Sequence, residues 1–331
     1  MKKILNITHI DLDGVLCALS VQRYYGKENV DIVYCGYNTV NKYVMDLLTT
    51  DEHEKYGFIY ITDISVSPET AEFIENNMKR KVILIDHHIN TNTEHLNKYD
   101  WVTLQKNDSE DGLATSACMM VYKHFYNRVV EMATPDADGY FENEFENSNL
   151  LHIIELGRDY DTWQWKDKNN IMAKNLNTLC TMLGFERFLA ECRHQVFMFD
   201  EYYCSFSIEP HLQLLLDLQA EDVDRCLKTA EKNLYVKEYD SYKIGVYYGS
   251  EHVSEICNLL CDNHPELDAI MCINMKTGAS IRTNRDDIHV GELAKKIGLP
   301  HNINGNGHSK ASGISLTNEF KEKFIDLLLD K

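Results

Sequence analysis

The chain has no apolar stretch of membrane-spanning length, so no transmembrane helix is expected. It also lacks a signal-peptide apolar core, because Met1-Lys2-Lys3 leads straight into a strand pattern; a soluble, intracellular protein is the expectation. The ten cysteines are scattered, with no CxxC pair and no dense framework, which reads as a reduced chain of the cytoplasm. Cys257 and Cys261 stand one helical turn apart, but no second thiol or His pair completes a zinc set, so they read as packing residues. Positive charge is scarce too: 33 Lys and Arg against 52 Asp and Glu leave a net charge of −19. Such a chain does not draw its affinity from neutralising a long phosphate backbone, so any nucleic-acid substrate should be short. No internal repeat is visible.

What is present is an alternation. With 331 residues, two domains are expected. From Ile4 short apolar runs alternate with helical patterns: Ile4–Thr8, then Val15–Tyr25; Val30–Cys35, then Val40–Leu48; Phe58–Thr62, then Pro68–Met78; Val82–Ile85. This predicts βαβαβαβ, a Rossmann-like α/β parallel sheet covered by helices, whose ligands bind beyond the carboxyl ends of the strands. Residues 102–200 read as mainly helical, with candidates at Leu113–Tyr126 and Leu150–Gly157, and acidic Thr134–Asn149 reads as a surface loop. A helical pattern from His211 to about Tyr239 predicts one long connecting helix. Beyond it, Lys243–Tyr248, Ala269–Asn274 and Ala279–Thr283 read as strands, with helices near Ser254–Cys261, Val290–Ile297 and Glu319–Leu329. The expected division is a catalytic domain over 1–205, a helical linker over 206–240 and a smaller α/β domain over 241–331.

Two strings at predicted strand ends carry the chemistry. His9-Ile10-Asp11-Leu12-Asp13-Gly14 follows the first apolar run, Asp63 the third, and Asp86-His87-His88 the fourth. Carboxylates crowded together raise one another's pKa until some protonate, unless a cation neutralises the cluster. Two divalent ions about 3.5–4 Å apart resolve that conflict and supply the chemistry of many phosphatases and nucleases. The Asp/His mixture without thiolates suits Mn(II) first, with Mg(II), Co(II) or Fe(II) as alternatives. Each string also has a plain structural reading: a strand-to-helix turn capped by Asp13 for the first, a solvated turn for the second. Near the C-terminus, Gly305-Asn306-Gly307-His308 opens a glycine-rich segment able to turn amides towards a phosphate, and Arg282 could grip a phosphate oxygen pair. A glycine-rich surface turn with a structurally paired Arg is the alternative.

In order along the chain these residues resemble the DHH phosphoesterase family, and the resemblance covers nearly all of it. The string at His9–Gly14 is similar to the first motif, Asp63 to the second, Asp86-His87-His88 to the third, and Asp161, within Gly157-Arg-Asp-Tyr-Asp161, to the fourth; Asp159 is the alternative there. Gly305-Asn306-Gly307-His308, with Ala311 and Gly313, is similar to the motif of the DHH-associated C-terminal domain, except that Asn306 stands where a glycine is usual. The resemblance implies that His9, Asp11 and Asp63 hold one metal while Asp13, Asp63, His87 and Asp161 hold the other. His88 and Asp86 would serve catalysis, His88 facing the substrate phosphate.

The expected reaction is in-line attack on phosphorus by a water bridging two metals, the smaller domain binding the rest of the substrate. Asp161-Thr162-Trp163-Gln164-Trp165 and the two-domain length look most like bacterial oligoribonucleases that degrade very short RNA. Trp163 could offer a face to a base, or it and Trp165 could pack beneath the site. The alternatives are a cyclic-dinucleotide phosphodiesterase or 3′,5′-bisphosphate nucleotide phosphatase, and further off a non-catalytic nucleotide-sequestering protein. A RecJ-type enzyme fits less well, since extra basic modules for a long strand are lacking. A homodimer is expected only because such assemblies are common.

Overall fold

The computed structural model describes residues 2–89, 92–132, 145, 148–198, 206–298, 305–315, 317–319 and 322. The chain divides into two compact units, Met1–Gln213 and Leu214–Lys331.

The first unit begins β1 (Lys3–His9), α1 (Leu12–Tyr25), β2 (Val30–Cys35), α2 (Val40–Leu48), β3 (Tyr56–Thr62), α3 (Pro68–Asn77), β4 (Val82–Asp86) and β5 (Val102–Leu104). The helices α4 (Ala117–Met132), α5 (Ser148–Asp161), α6 (Gln164–Asp167), α7 (Ile171–Leu183) and α8 (Phe185–Met198) follow. The five strands form an all-parallel sheet in the order β2-β1-β3-β4-β5. The predicted alternation is therefore found, with a fifth strand too short to show as a run. The helix expected over Leu113–Tyr126 sits further along as α4.

The strands read as unbroken apolar runs because both faces of the sheet are covered. On one face Leu5, Ile7, Ile59, Ile61, Val82 and Leu84 pack with Val40, Val44 and Ile74 of α2 and α3. Against the other lies α1, buried from Leu12 to Gln22 without interruption, so it shows no polar face at all. Neighbours on that side are α4 and α5, and Gly157 of α5 marks a close approach: a Cβ there would stand 2.4 Å from Leu16 Cδ1 and 3.2 Å from Cys118 Sγ.

Buried polar rungs tie β1 to β3. Asn6 Nδ2 donates to Thr62 Oγ1 at 2.9 Å, and Thr8 Oγ1 donates to Gly14 O at 2.9 Å. Thr62 Oγ1 also donates to Thr8 Oγ1 at 2.9 Å. A buried hydroxyl or amide is tolerated only with a partner, so these rungs fix the register of the two strands just below their carboxyl ends.

Helix α9 (Pro210–Lys232) leads into the second unit, which continues β6 (Tyr235–Tyr239), β7 (Tyr242–Tyr248), α10 (Val253–Asn263), β8 (Ala269–Asn274), β9 (Gly278–Arg282), α11 (Val290–Gly298), β10 (Gly305–Gly307) and β11 (Ala311–Ser315). Its six strands run β10-β11-β9-β8-β7-β6, with only β7 and β8 parallel. Alternate residues serve opposite faces: Ile270 and Cys272 pack with α10, Ala269 and Met271 with the α11 side. The single helix expected from His211 to about Tyr239 is corrected. It stops at Lys232, and Tyr-Val-Lys-Glu-Tyr, rich in β-branched and aromatic residues, pairs with β7 as an edge strand. The helix expected near Glu319–Leu329 and most of the loop expected over Thr134–Asn149 lie outside the described residues.

The close approach at Gly157 yields a test. Gly157→Val forces a branched side chain into the α1–α5 contact, and overpacking of this kind costs about 1–3 kcal/mol. The expected result is a lower urea midpoint with an unchanged slope; a midpoint equal to the parent's would show that the helices can part there without loss.

Candidate metal centre

The order β2-β1-β3 places the reversal of strand order between β1 and β3, where doubly wound sheets bind their ligands. The expected residues gather there. His9 ends β1, Asp63 follows β3 directly, Asp86 ends β4, and β1, β3 and β4 are adjacent strands. Asp161 is the last residue of α5.

Asp63 stands at the centre, its backbone held at φ 59, a conformation uncommon outside glycine. Its Oδ2 faces His9 Nδ1 at 3.7 Å and its Oδ1 faces His87 Nε2 at 3.5 Å. On the first side Asp11 Oδ2 lies 2.5 Å from His9 Nδ1. On the second, His87 Nε2 is 3.3 Å from Asp161 Oδ2 and 3.7 Å from Asp13 Oδ2. Donor atoms of His9, Asp11 and Asp63 form one group within 4.8 Å, those of Asp13, His87 and Asp161 another, and those of Asp63, Asp86, His87 and His88 a third. Asp159 is elsewhere: Lys168 Nζ and Asn170 Nδ2 donate to it at 2.5 and 3.0 Å, fixing the segment after α5.

The residues fit divalent cations on electrostatic grounds. Among the described residues, both oxygens of Asp63 and Nε2 of His87 are buried without a hydrogen-bond partner. Burial, with the charges of Asp13, Asp11 and Asp86, pushes the Asp63 carboxyl well above the usual carboxylate range. Burial again, then Asp13 and Asp11, push Asp161 up to about 8. Buried acceptors facing one another with no donor between them are what a bound cation satisfies.

Other groups have hydrogen-bond partners within the chain. Asp13 Oδ2 accepts from the amide of Ala117 and Oδ1 from that of Cys118, both at 2.8 Å, so the first turn of α4 holds this carboxylate at its positive end. Asp11 rather than Asp13 caps α1, accepting from the Gly14 amide at 3.0 Å. Gly14 is required by a close approach, since a Cβ would stand 2.3 Å from His9 O. Asp86 accepts from Ser65 Oγ at 2.5 Å, from the amides of His87 and His88 at 2.8 and 3.1 Å, and pairs with His88 Nδ1 at 2.8 Å. Burial opposes its ionisation, but the hydrogen bonds from His88 and Ser65 hold it below its ordinary value. For His88, burial works against protonation and is outweighed by Asp86, Asp161 and Asp13, which raise it.

Three contributors escape a reading of motifs: Ser65, the two α4 amides, and Tyr37, whose ring lies 5.0 Å from that of His9 and 6.2 Å from that of His88. Ser65, two residues beyond Asp63, was open to notice; backbone amides over a hundred residues from Asp13 carry no sequence signal. Trp163 is 61% exposed, with Lys166 Nζ 4.6 Å over its ring, while Trp165 stacks on Tyr160.

In the second unit, Arg282 donates through Nη1 to Ile281 O and Ser312 O and through Nη2 to Ser254 Oγ at 2.9 Å. The expected glycine-rich turn is corrected for Gly305, Asn306 and Gly307, which form β10 against β11. A packing reason accounts for the glycines: a Cβ on Gly305 would stand 2.1 Å from Ala294 O, and one on Gly291 2.5 Å from Gly307 O. The His308 amide donates to Ala311 O and its carbonyl accepts from Gly291, which leaves the His308 side chain exposed.

Residues 3–151 match the DHH family, N-terminal domain. Over 324 residues the chain is 32% identical to oligoribonuclease NrnB of Bacillus subtilis, covering 96% of this chain and 74% of that protein. It is 23% identical over 365 residues to a 3′,5′-cyclic-nucleotide phosphodiesterase of Helicobacter pylori, covering 98% of this chain and 95% of that one. In structure it is similar to RecJ of Thermus thermophilus in complex with Mn2+, with a TM-score of 0.58 and 12% identity over 98% of this chain and 51% of the other. Among the described residues no helix is long and apolar enough to cross a membrane. With its acidic and imidazole cluster at the ends of β1, β3 and β4, the chain belongs to the DHH family of phosphoesterases, hydrolases of phosphodiester bonds.

Proposed function

We propose that the chain is a manganese-dependent exonuclease that hydrolyses oligoribonucleotides a few residues long. The observation that carries the substrate is the 32% identity to an oligoribonuclease over 96% of the chain. His9, Asp11 and Asp63 would hold one cation, and Asp13, Asp63, His87 and Asp161 the other, Asp63 serving both through its two oxygens. When bound, the cations supply a lowered water pKa and relief of charge on the phosphoryl oxygens. Asp86 and Ser65 position His88: with Nδ1 held by Asp86, the ring keeps Nε2 for a phosphoryl oxygen, and its raised pKa favours the imidazolium that donates there. Trp163 offers its ring to a base, a contact tolerant of sequence. Arg282, with Gly305, Asn306, Gly307 and His308, is assigned to the remainder of the substrate. The free thiols of the nine described cysteines suit a reducing cytoplasm.

The test is a panel with Mn(II): a short RNA, a cyclic dinucleotide and an adenosine 3′,5′-bisphosphate, each with the parent and with Asp63→Asn. Turnover of the short RNA by the parent, falling at least a hundredfold in the variant, is expected, because losing one stabilising group of this kind typically costs ~10²–10³ in kcat. Preference for the cyclic dinucleotide would instead favour the activity of the Helicobacter relative. Tight binding without turnover would mark a sequestering protein.

Trp163→Ala is expected to raise KM for short RNA with kcat nearly unchanged, since a stacked base is worth about 1–3 kcal/mol. An unaltered KM would remove Trp163 from the binding surface.

A pH prediction follows from Asp161, raised from 3.8 to about 8. The folded chain keeps a proton there that the unfolded chain releases, so this residue's contribution is full below the unfolded value and is lost as pH rises towards about 8. In EDTA, melting temperature should therefore fall with pH more steeply in the parent than in Asp161→Asn. Added Mn(II) should stabilise the parent more at pH above that value than below it, because binding displaces the proton. Parallel melting curves for parent and variant would contradict the assignment.

A further inference from the structure

In the second unit one group of side chains combines a thiol, an imidazole and a carboxylate. Asp222 and Cys226 stand one turn apart on α9, and His252 immediately precedes α10. One donor atom of each lies within 4.8 Å of the other two. Asp222 Oδ2 is 2.9 Å from His252 Nε2, and Glu251 Oε2 is 3.9 Å from Cys226 Sγ. We propose that Asp222, Cys226 and His252 bind a single zinc ion that pins α9 to the start of α10.

The geometry is close to what zinc needs. Bonds of about 2.0–2.1 Å to nitrogen or oxygen and about 2.3 Å to sulfur set neighbouring tetrahedral ligands roughly 3.3–3.6 Å apart. Asp222 Oδ2 and His252 Nε2 stand 2.9 Å apart, and the Cys226 donor lies within 4.8 Å of both, so the three side chains reach one ion by rotation about their own bonds. The backbone beneath is fixed: Val223 and Leu227 of α9 pack with Ile256, Cys257 and Leu260 of α10.

His252 is oriented for this role. Its backbone is left-handed at φ 48, and its ring makes no capping bond to its own helix but turns to α9. Arg225 Nη2 bonds the other oxygen of Asp222, Oδ1, so the carboxylate is held with Oδ2 towards His252, as outer partners hold metal-binding carboxylates. A thiolate, an imidazole and a carboxylate together suit zinc or cobalt and not magnesium or calcium, which take oxygen ligands. Burial and the charges of Asp222 and Glu251 raise the Cys226 thiol, so the incoming cation replaces a proton on sulfur. A plain His252–Asp222 hydrogen bond would make no demand on the sulfur, and this separates the two accounts.

Cobalt(II) is the probe, added to the metal-free full-length chain. The expected result is a near-ultraviolet thiolate-to-cobalt band that rises to a plateau worth one thiolate–cobalt centre per chain, is displaced by excess zinc(II), and is lost in Cys226→Ser. His252→Gln should weaken cobalt binding at this site, and far-UV circular dichroism of each variant should match the parent. The cluster of the first unit offers oxygen and nitrogen ligands only, so cobalt held there gives no such band. Absence of the band from the parent, or the same band in Cys226→Ser, would overturn the proposal.

Discussion

The carboxylates of Asp11, Asp13, Asp63, Asp86 and Asp161 repel one another at the ends of three adjacent strands, and the first unit is organised to hold them together regardless. Charges at such short range and low exposure are not screened by solvent, so each must be offset locally or stay protonated. Some are offset by the chain itself. Asp86 is enclosed by a hydroxyl, two amides and an imidazole, and Asp13 by the first amides of α4. Asp63 and Asp161 are not, and their raised carboxyls register the deficit.

The scaffold bears this strain through interactions that lie below the site. The Asn6, Thr8 and Thr62 rungs lock β1 to β3 where the strands would otherwise splay, and Thr8 also anchors the carbonyl of Gly14. A fully buried α1 fixes Asp11 at its cap and Asp13 in its first turn. Asp161 arrives from a different element, and its position depends on Gly157 letting α5 approach α1 within the reach of Leu16. A glycine four residues before Asp161 is thus a distance requirement, met in sequence as a spacing.

Residues at strand ends were legible because topology alone carries them to one place: His9, Asp63 and Asp86 are brought together once the sheet is parallel and β1, β3 and β4 are neighbours. Asp161 was legible only by resemblance, since a residue at the end of a helix has no such geometric necessity. Several features were hidden for physical reasons. Choosing between Asp11 and Asp13 as the cap of α1 turns on a two-residue shift that periodicity does not resolve. The glycines of β10 look like a flexible turn in sequence but answer to neighbouring backbone, Gly305 to that of α11 and Gly307 to that of β11. Tyr235–Tyr239 continues the helical spacing of α9 and becomes a strand only because β7 is there to pair with it.

The contrast between partnered and unpartnered acids also orders the site's chemistry. A carboxylate already saturated with N–H and O–H donors gains little from a cation, whereas one without donors gains most. Asp86 is therefore already satisfied, with His88 Nδ1 among its partners, whereas Asp63, its oxygens directed to opposite sides, has the most to gain from a cation. Asp13 is intermediate: two amides take part of its charge, which lets it stand 3.7 Å from His87 without the full cost of a buried anion. The folding of α4 onto α1 is then also the step that makes Asp13 tolerable, so assembly of this helical layer and readiness of the centre are one event.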